Sequence, residues 1–343
     1  HRMDGNFMHS NVKDKDGFGL TLGYGYTPSK NFYSGIGIKY YDERLDLNDM
    51  GYLILNDRFM LNGRTQFKRT TFQEGSVLRS RLFEIGYGSK FNVDSERESS
   101  NFALKLENNF VNLSEIKAEV FYRSTGRNTR ITRGSKFAPF IKMPKGMGGY
   151  IDFTGPRRPT YVYGLRFERG RGSEHSPELG WGTKSRGYLK YMPTDTLSFS
   201  LMYQHQRENE WLNWYGDNLL ATFKRKQRTS VVEMEWFRNN IHELRIKAQM
   251  VAFTGREPQS FLGDLSGNLN PEDIYIPPIT ISELAFQVRY RYEIMPLSYL
   301  YLVYSKGGRI SLQDEEDDLF SLYRRPWNSP EKENFTVKLR YRF

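Results

Sequence analysis

The chain has 343 residues, of which 38% are hydrophobic and 15% aromatic, and it contains no cysteine. The lack of cysteine excludes disulfides, thiolate metal sites and covalently attached c-type haem, and no apolar run approaches the roughly 20 residues of a membrane-spanning helix. The net charge of +10 does not favour nucleic-acid binding, because the basic residues alternate with apolar ones instead of clustering in one patch.

Alternation of apolar and polar residues predicts β-strands along the first half of the chain. Successive side chains of a strand point to opposite faces, so a period of two marks a strand with two different faces. Residues 41–57 interrupt the alternation, which predicts a structured loop. The predicted strands are one weakly patterned strand within 1–16, then 18–26, one from Ile36, and about 58–72, 77–91, 102–106, 116–122, 150–154, 161–167, 185–192 and 197–207.

A long basic stretch, residues 126–149, separates two of these strands and is rich in glycine. Loops of this length are uncommon unless they are functional or mobile. Two interpretations remain open: a constriction loop folded into a lumen, and a solvent-exposed loop.

The second half continues the pattern with longer interruptions. Leu219–Phe223 and Val232–Trp236 differ in parity, which predicts one long strand containing a β-bulge. An aromatic loop is predicted at residues 208–218, and two further long loops are predicted at residues 254–280 and 306–332. The remaining predicted strands are 244–250, 284–292, 297–305 and 334–343.

The last strand shows the pattern most clearly. Its apolar residues fall on one face and its polar and basic residues on the other. No helices accompany the strands to cover their apolar faces, so lipid is the expected contact. An alternating strand that ends on phenylalanine resembles the C-terminal signal of bacterial outer-membrane barrels. Tyr341 and Phe343 are the residues predicted to carry that signal to the barrel-assembly machinery.

Short turns and long loops alternate along the chain, as they do on the two sides of an outer-membrane barrel. The predicted fold is therefore all-β: a transmembrane antiparallel up-and-down β-barrel of about 16 strands, with short periplasmic turns and long extracellular loops. Residues 1–343 are predicted to form one barrel domain. A soluble β-sandwich is the less favoured alternative, since it would rarely need so many strands in one domain.

The polar faces of the strands carry the candidate functional residues. Basic side chains outnumber acidic ones on the last strands, where only Glu283 is expected to compete. The predicted lumen-lining basic strip consists of Arg289, Arg291, Lys338, Arg340 and Arg342. A strip of this kind in a pore favours anionic solutes, whereas a ladder of cross-strand ion pairs that stiffens the wall is an equally acceptable interpretation.

Other candidate sites are weaker. The acidic run 314–318 is compatible with Ca²⁺ or with cation bridges to lipopolysaccharide, but a solvated acidic loop is the simpler interpretation. Trp211, Trp214 and Tyr215 are compatible with stacking on sugar rings or with an aromatic girdle at the membrane interface. No residues are singled out as catalytic, cofactor-binding or metal-binding, and neither an enzyme nor a cofactor is expected.

Four stretches resemble a family of Gram-negative outer-membrane proteins of unassigned function. They are YDERLDLNDMGYLILND, EWFRNNIHELRIKAQMV, LAFQVRYRYEIMPLSYLYLVYSKGG and FTVKLRYRF, spread over residues 41–343. In that family a carbohydrate-binding domain of the family-9 type precedes a C-terminal barrel that begins upstream of His1. The resemblance implies either the C-terminal part of a longer chain, with further barrel strands upstream, or a shorter relative of the family. It gives no transferable catalytic residues.

Together these features predict a channel in the outer membrane of a Gram-negative bacterium for small polar or anionic solutes. The alternative is a structural barrel that anchors or surrounds a partner protein or soluble domain, and an outer-membrane hydrolase is a distant third. Expected partners are the bilayer, lipopolysaccharide, the barrel-assembly machinery and a protein filling or capping the barrel, but no nucleic acid.

Overall fold

The computed structural model describes residues 1–12, 14–47, 56–92, 96–133, 135–171, 179–239, 241–313 and 318–342. Nineteen strands and one helix are present in this part of the chain. The strands are β1 (Arg2–Val12), β2 (Lys15–Ser29), β3 (Phe32–Tyr41), β4 (Arg58–Arg69), β5 (Leu78–Phe91), β6 (Arg97–Phe110), β7 (Glu115–Arg123), β8 (Gly126–Asn128), β9 (Ile141–Met143), β10 (Gly146–Thr154), β11 (Tyr161–Arg171), β12 (Trp181–Thr194), β13 (Leu197–Gly216), β14 (Leu219–Arg238), β15 (His242–Gly263), β16 (Leu269–Glu272), β17 (Ile279–Met295), β18 (Ser298–Leu312) and β19 (Lys332–Arg340). The helix is α1 (Leu319–Asn328).

Seventeen of these strands form one antiparallel sheet. The short β16 adds to β15 beside the β15–β17 connection, and the other sixteen pair in chain order from β1 to β19 as an up-and-down meander. β8 and β9 pair only with each other. The predicted all-β meander of about sixteen strands is confirmed.

The two faces of the sheet differ as the alternation predicts. On β11, Leu165 and Phe167 are 62% and 53% exposed, while Arg166 between them bonds to Asp152 of the neighbouring β10. Exposed aliphatic and aromatic side chains continue across the same face of β7, β12, β13 and β19. We call this apolar face the outer face and the opposite, charged face the inner face. An apolar outer face around a polar interior is the arrangement of a transmembrane β-barrel.

One end of the sheet carries the connections β2–β3, β4–β5, β6–β7, β10–β11, β12–β13, β14–β15 and β17–β18, which correspond to the short turns predicted to face the periplasm. The long connections β3–β4, β7–β10, β11–β12, β15–β17 and β18–β19 lie at the other. We call these the turn end and the loop end. The predicted alternation of turns and loops is confirmed.

Two strands extend further toward the loop end than predicted, and a third is as long as predicted. Residues 208–218 are not a loop, because β13 continues to Gly216 after a register shift between Glu208 and Trp211. Likewise β15 continues to Gly263 inside the predicted loop 254–280. β14 is the single long strand expected, with a register shift after Thr222. The tall strands persist because their tips have their own core, in which Leu212 and Leu220 are almost fully buried.

The helix α1 was not predicted within the loop 306–332. Asp318 caps it by accepting a hydrogen bond from the backbone N–H of Ser321 at 2.7 Å, which satisfies a free donor of the first turn. Trp327 packs edge-on against Phe286, with 5.2 Å between ring centroids. Phe286 lies on the outer face, so α1 covers a part of that face. None of the helices in the described ranges is both long and apolar enough to cross a membrane.

The sheet is open along one seam. Within the described residues β1 pairs with β2 and β19 with β18, and no pairing joins β1 to β19. All nine residues of β19 are exposed, as are most of those of β1. The outermost strands therefore present backbone groups that no neighbouring strand of this sheet satisfies.

Candidate functional site: the charged inner face

A ladder of ion pairs crosses the inner face of β14, β15 and β17. Lys247 of β15 pairs with Glu233 of β14 at 2.5 Å. One step toward the turn end, Arg245 lies 3.7 Å from Glu235 and 2.5 Å from Glu243. Neighbouring opposite charges on adjacent strands stabilise a sheet. In this part of the wall the inner-face charges form a ladder of cross-strand ion pairs, one of the two predicted arrangements.

Glu243 is the most buried acid of the ladder, with a side chain only 5% exposed. It stands between two cations, since Arg291 of β17 approaches its other carboxylate oxygen to 3.0 Å. From the sequence, only Glu283 is expected to oppose the basic strip on its own strands. Glu283 instead pairs with Arg309 at 3.4 Å. Glu243 belongs to β15, and its position beside Arg291 follows from the β15–β17 register, which the sequence does not show.

The predicted basic strip lies toward the turn end of the inner face. Arg291 and Lys338 flank Tyr301 in one row of the β17–β18–β19 register, and Arg340 stands opposite Tyr299. The guanidinium of Arg289 lies 5.7 Å from the ring of Tyr301.

The members of the strip differ in their partners. Arg291 is paired with Glu243, as described above. Within the described residues no ion pair involves Arg289, Lys338 or Arg340, and the last two are exposed. Arg342 lies beyond β19, where its backbone N–H donates to Ser298 at 3.0 Å. Of the predicted assembly signal, Tyr341 is exposed, and Phe343 lies outside the described residues.

A second set of ion pairs lines the inner face of β6 to β11. Lys117 lies 2.9 Å from Glu115, and Arg166 pairs with both Asp152 and Glu168 at 3.5 and 3.3 Å. Arg166 also covers the ring of Tyr150 at 3.8 Å from its centroid. Charges on this side of the wall are thus largely balanced.

Residues 124–145, which we call the bridging segment, connect two distant parts of the loop end. At its start Gly126 packs against the backbone of Glu98 on β6, and Arg127 pairs with Glu96. Toward its end Ile141 and Met143 join Leu212 and Leu220 in the core of the tall strands. The backbone N–H of Lys142 donates to the carbonyl of Gly267 at 2.8 Å, and its ammonium to Asn268 at 2.9 Å. The segment is therefore packed at both ends, unlike a solvent-exposed loop.

The aromatic residues of β13 are part of this packing. The ring of Trp211 lies 5.4 Å from Phe253, edge to face, with the guanidinium of Arg225 5.3 Å from its centroid. The indole N–H of Trp214 donates to the carbonyl of Asp217, and Arg133 covers its ring at 5.4 Å. Trp211 and Trp214 thus each have a protein partner against the ring, whereas Tyr215 is 39% exposed.

Other chemistry has less support in the described residues. No group of three or more histidine or acidic side chains there has the arrangement of a metal site. His242 forms a 2.6 Å hydrogen bond with the hydroxyl of Tyr290 within the wall. Of the acidic run 314–318, only Asp318 is described, and it caps α1.

Searches for similar proteins give weak structural likenesses. A bacterial polysaccharide outer membrane secretin shares 10% identity over 90% of this chain and 92% of its own, with a TM-score of 0.37. The siderophore receptor PirA from Acinetobacter baumannii shares 9% identity over 94% of this chain and 63% of its own, with a TM-score of 0.39. A loop L8 deletion mutant of OmpT, an outer membrane protein of Vibrio cholerae, shares 10% identity over 90% of this chain and 94% of its own, with a TM-score of 0.27. No curated protein matches the sequence.

Over residues 1–343 the sequence matches one family, described as a domain of unknown function, DUF5916. The chain belongs to the DUF5916 family.

Proposed function

We propose that the protein is an outer-membrane channel of a Gram-negative bacterium that passes small polar solutes and prefers anions. The observation that carries the proposal is the group Arg289, Lys338 and Arg340 on the inner face, none of which has an ion-pair partner among the described residues. Many other charges of the inner face are paired, as in the ladder of β14, β15 and β17. An excess of one sign in a narrow low-dielectric passage biases ion passage even when the wall as a whole is nearly balanced.

The outer face supports the membrane location. Apolar side chains such as Leu165, Val337 and Leu339 are more than half exposed, and burying such a surface in lipid removes its contact with water. The turn end then faces the periplasm and the loop end the cell exterior. The bilayer, lipopolysaccharide and the assembly machinery that reads the C-terminal strand are the proposed partners.

The bridging segment sets the access to this channel. It runs from β6 to the tips of β13 and β14 at the loop end, and hydrophobic packing holds it at the far side. Solutes would pass beside it. This position favours a channel that selects for small solutes over a wide, general pore.

Single-channel recording in planar bilayers tests the channel. The proposal predicts discrete conductance steps from the purified chain. A protein that inserts and folds but never conducts at any voltage would overturn it.

A second candidate function, a structural barrel that holds a partner, is favoured by the open seam. Backbone groups at a bare sheet edge cost several kcal/mol each in a bilayer core, since no water is there to bond them. Polypeptide strands that pair with β1 and β19 would remove this cost. A stoichiometric protein co-purifying with the chain, together with a non-conducting barrel, would favour this function. We do not propose a hydrolase, because the described residues hold no arrangement of nucleophile and base that we could assign.

A further inference from the structure

The helix α1 lies on the outer face of the sheet. The hydroxyl of Ser282 on β17 donates to the carbonyl of Leu322, and the hydroxyl of Tyr323 lies 3.0 Å from that of Ser230 on β14. Directly paired residues of neighbouring strands share a face. One row of paired residues crosses the sheet through Leu165, Gly187, Tyr203, Ser230, Met250 and Leu284. Since Leu165 is on the outer face, the strand residues that α1 contacts are on it too.

The helix has one buried side and one exposed side. Leu322 and Pro326 are buried. Phe320 is 80% exposed, Trp327 is 40% exposed, and Arg324 is exposed as well. Spacings of four and three residues put these three side chains on one side of a helix. The exposed side of α1 therefore presents two aromatic rings with an arginine between them.

The outer face changes from apolar to polar at the level of α1. On the turn-end side, the paired residues Leu201 and Val232 of β13 and β14 are both about half exposed. On the loop-end side, the next outer-face pairs are polar or basic: His205 with Arg228, and Arg207 with Lys226. The contact between Tyr323 and Ser230 places α1 between these two zones. In a barrel such a change marks the level where acyl chains give way to headgroups.

The side chains on the exposed side of α1 suit this level. Tryptophan is enriched at the membrane–water interface, and an amphipathic helix lies there with its apolar side about 5–10 Å into the boundary between headgroups and acyl chains. An arginine buries its aliphatic stem and keeps its guanidinium in the polar layer. In water, by contrast, most of Phe320 would stay exposed, and the favourable burial of its ring would be lost.

A second copy of the chain is a poorer occupant of this side. A stable protein interface buries roughly 800 Å² on each partner. A helix of ten residues is only about 15 Å long, so its exposed side alone supplies a small part of that area. Lipid needs no minimum area, because it covers the whole outer face.

We propose that α1 is an interfacial helix whose exposed side is inserted into the outer lipid leaflet, at the boundary between acyl chains and headgroups. Phe320 and Trp327 contact the acyl chains, and Arg324 reaches a lipid phosphate. The inference deepens the proposed function and rests on its membrane location, but it does not require that the barrel conducts.

A spin label on α1 tests the insertion. The chain contains no cysteine, so Phe320→Cys carries the label at one position only, in the folded chain reconstituted into phosphatidylcholine vesicles. Collisions of the label with oxygen, which concentrates among acyl chains, and with a water-soluble nickel chelate measure its depth. We expect the label about 5–10 Å below the phosphates. Heat-modifiable migration on gels selects the folded, labelled chain.

Leu265→Cys is the matched control. Leu265 is also a strongly exposed apolar residue at the loop end, but it lies in the connection between β15 and β16. Its label should collide with the nickel chelate. A label at position 320 that is equally accessible to nickel would place α1 in water. A label at 320 that is shielded from both oxygen and nickel would place it under a second copy or another protein, and either result would overturn the proposal.

Arg324→Glu, combined with the label at position 320, tests the contact with phosphate. The phosphates should repel the new carboxylate, so the label should shift toward the water. Arg157→Glu makes the same change of charge at an exposed position in the turn between β10 and β11, and it should leave the depth of the label unchanged. Equal depths in the two variants would overturn the contact of Arg324 with phosphate.

A label at Leu165→Cys separates this inference from the proposed function. Leu165 reports the membrane location of the wall itself. A label in lipid at 165 beside a label in water at 320 would overturn the interfacial helix alone. Labels in water at both positions would overturn the membrane location as well, and a silent channel would leave both depths unchanged.

Discussion

Glu243 and Arg291 form an ion pair across β15 and β17, with 3.0 Å between the carboxylate and Nε of the guanidinium. Because Arg245 lies on the other side of the same carboxylate, one buried acid holds two cations together. This acid marks the boundary between the balanced part of the inner face and the basic strip.

Glu243→Gln should destabilise the barrel and strengthen its preference for anions. The substitution leaves Arg245 and Arg291 facing each other without a compensating charge, at a cost of about 1–3 kcal/mol. Urea unfolding in lipid vesicles, followed by tryptophan fluorescence, measures the loss. Glu283→Gln is the control, because its pair with Arg309 is more exposed and worth about 1 kcal/mol or less. Equal losses from both substitutions would contradict the special position of Glu243.

Leu165→Arg should impair folding into lipid. Leu165 projects from the outer face, and an arginine near the bilayer midplane costs about 2–4 kcal/mol. Leu339→Arg should act in the same direction on β19. The control is Ser200→Arg on the inner face of β13, where the new charge stands between Glu233 of β14 and Lys190 of β12. Heat-modifiable migration on gels measures the folded fraction, and a neutral Leu165→Arg would mean that the two faces are exchanged.

Gly126→Ala should release the start of the bridging segment. A Cβ at this position would overlap the carbonyl oxygen of Glu98, and that backbone cannot move without disturbing β6. Limited trypsin digestion should then cut faster at the arginines that follow. Gly63→Ala is the control, since its Cβ would meet only one atom, at 4.0 Å. If both variants resist trypsin like the unmodified chain, the segment is not held at Gly126.

The far attachment of the segment should depend on the charge of Asp264. This carboxylate accepts hydrogen bonds from the backbone N–H and the side-chain amide of Asn268, which lower the pKa of Asp264. A lowered pKa means that the stabilisation is complete above the ordinary aspartate value and is lost as the pH falls through the folded-state value. Trypsin-sensitivity of the segment at pH 5 and pH 8, scaled for trypsin activity, should therefore be the same. Asp264→Asn should raise the trypsin-sensitivity of the segment at both pH values. A difference in trypsin-sensitivity between pH 5 and pH 8 in the unmodified chain would contradict this account.

The strands and turns could be predicted because each strand of a barrel carries its own signal. Leu165, Arg166 and Phe167 reveal the period of two and the two faces without knowledge of any neighbour. The tips of β13 and β15 could not be predicted in this way. There, register shifts break the period, and the strands persist through contacts with Ile141 and Met143, which are distant in sequence.

The site was predicted in part for the same reason. Arg289, Lys338 and Arg340 belong to strands with clear alternation, so their common face could be expected. The position of Glu243 beside Arg291 depends on the pairing of two separate strands. The helix α1 escaped prediction because it has only ten residues and contains a proline, Pro326, which is disfavoured inside a helix.

The reversal potential in a salt gradient tests the central claim most directly. Single channels of the unmodified chain should prefer anions. The substitutions Arg289→Glu and Arg340→Glu reverse two charges of the strip and should shift the reversal potential toward the equilibrium potential of the cation. The shift should be large at 0.1 M salt and small at 1 M, because the screening length falls from about 10 Å to about 3 Å. An unchanged reversal potential at 0.1 M in a conducting, correctly folded variant would contradict the claim that these cations line the passage.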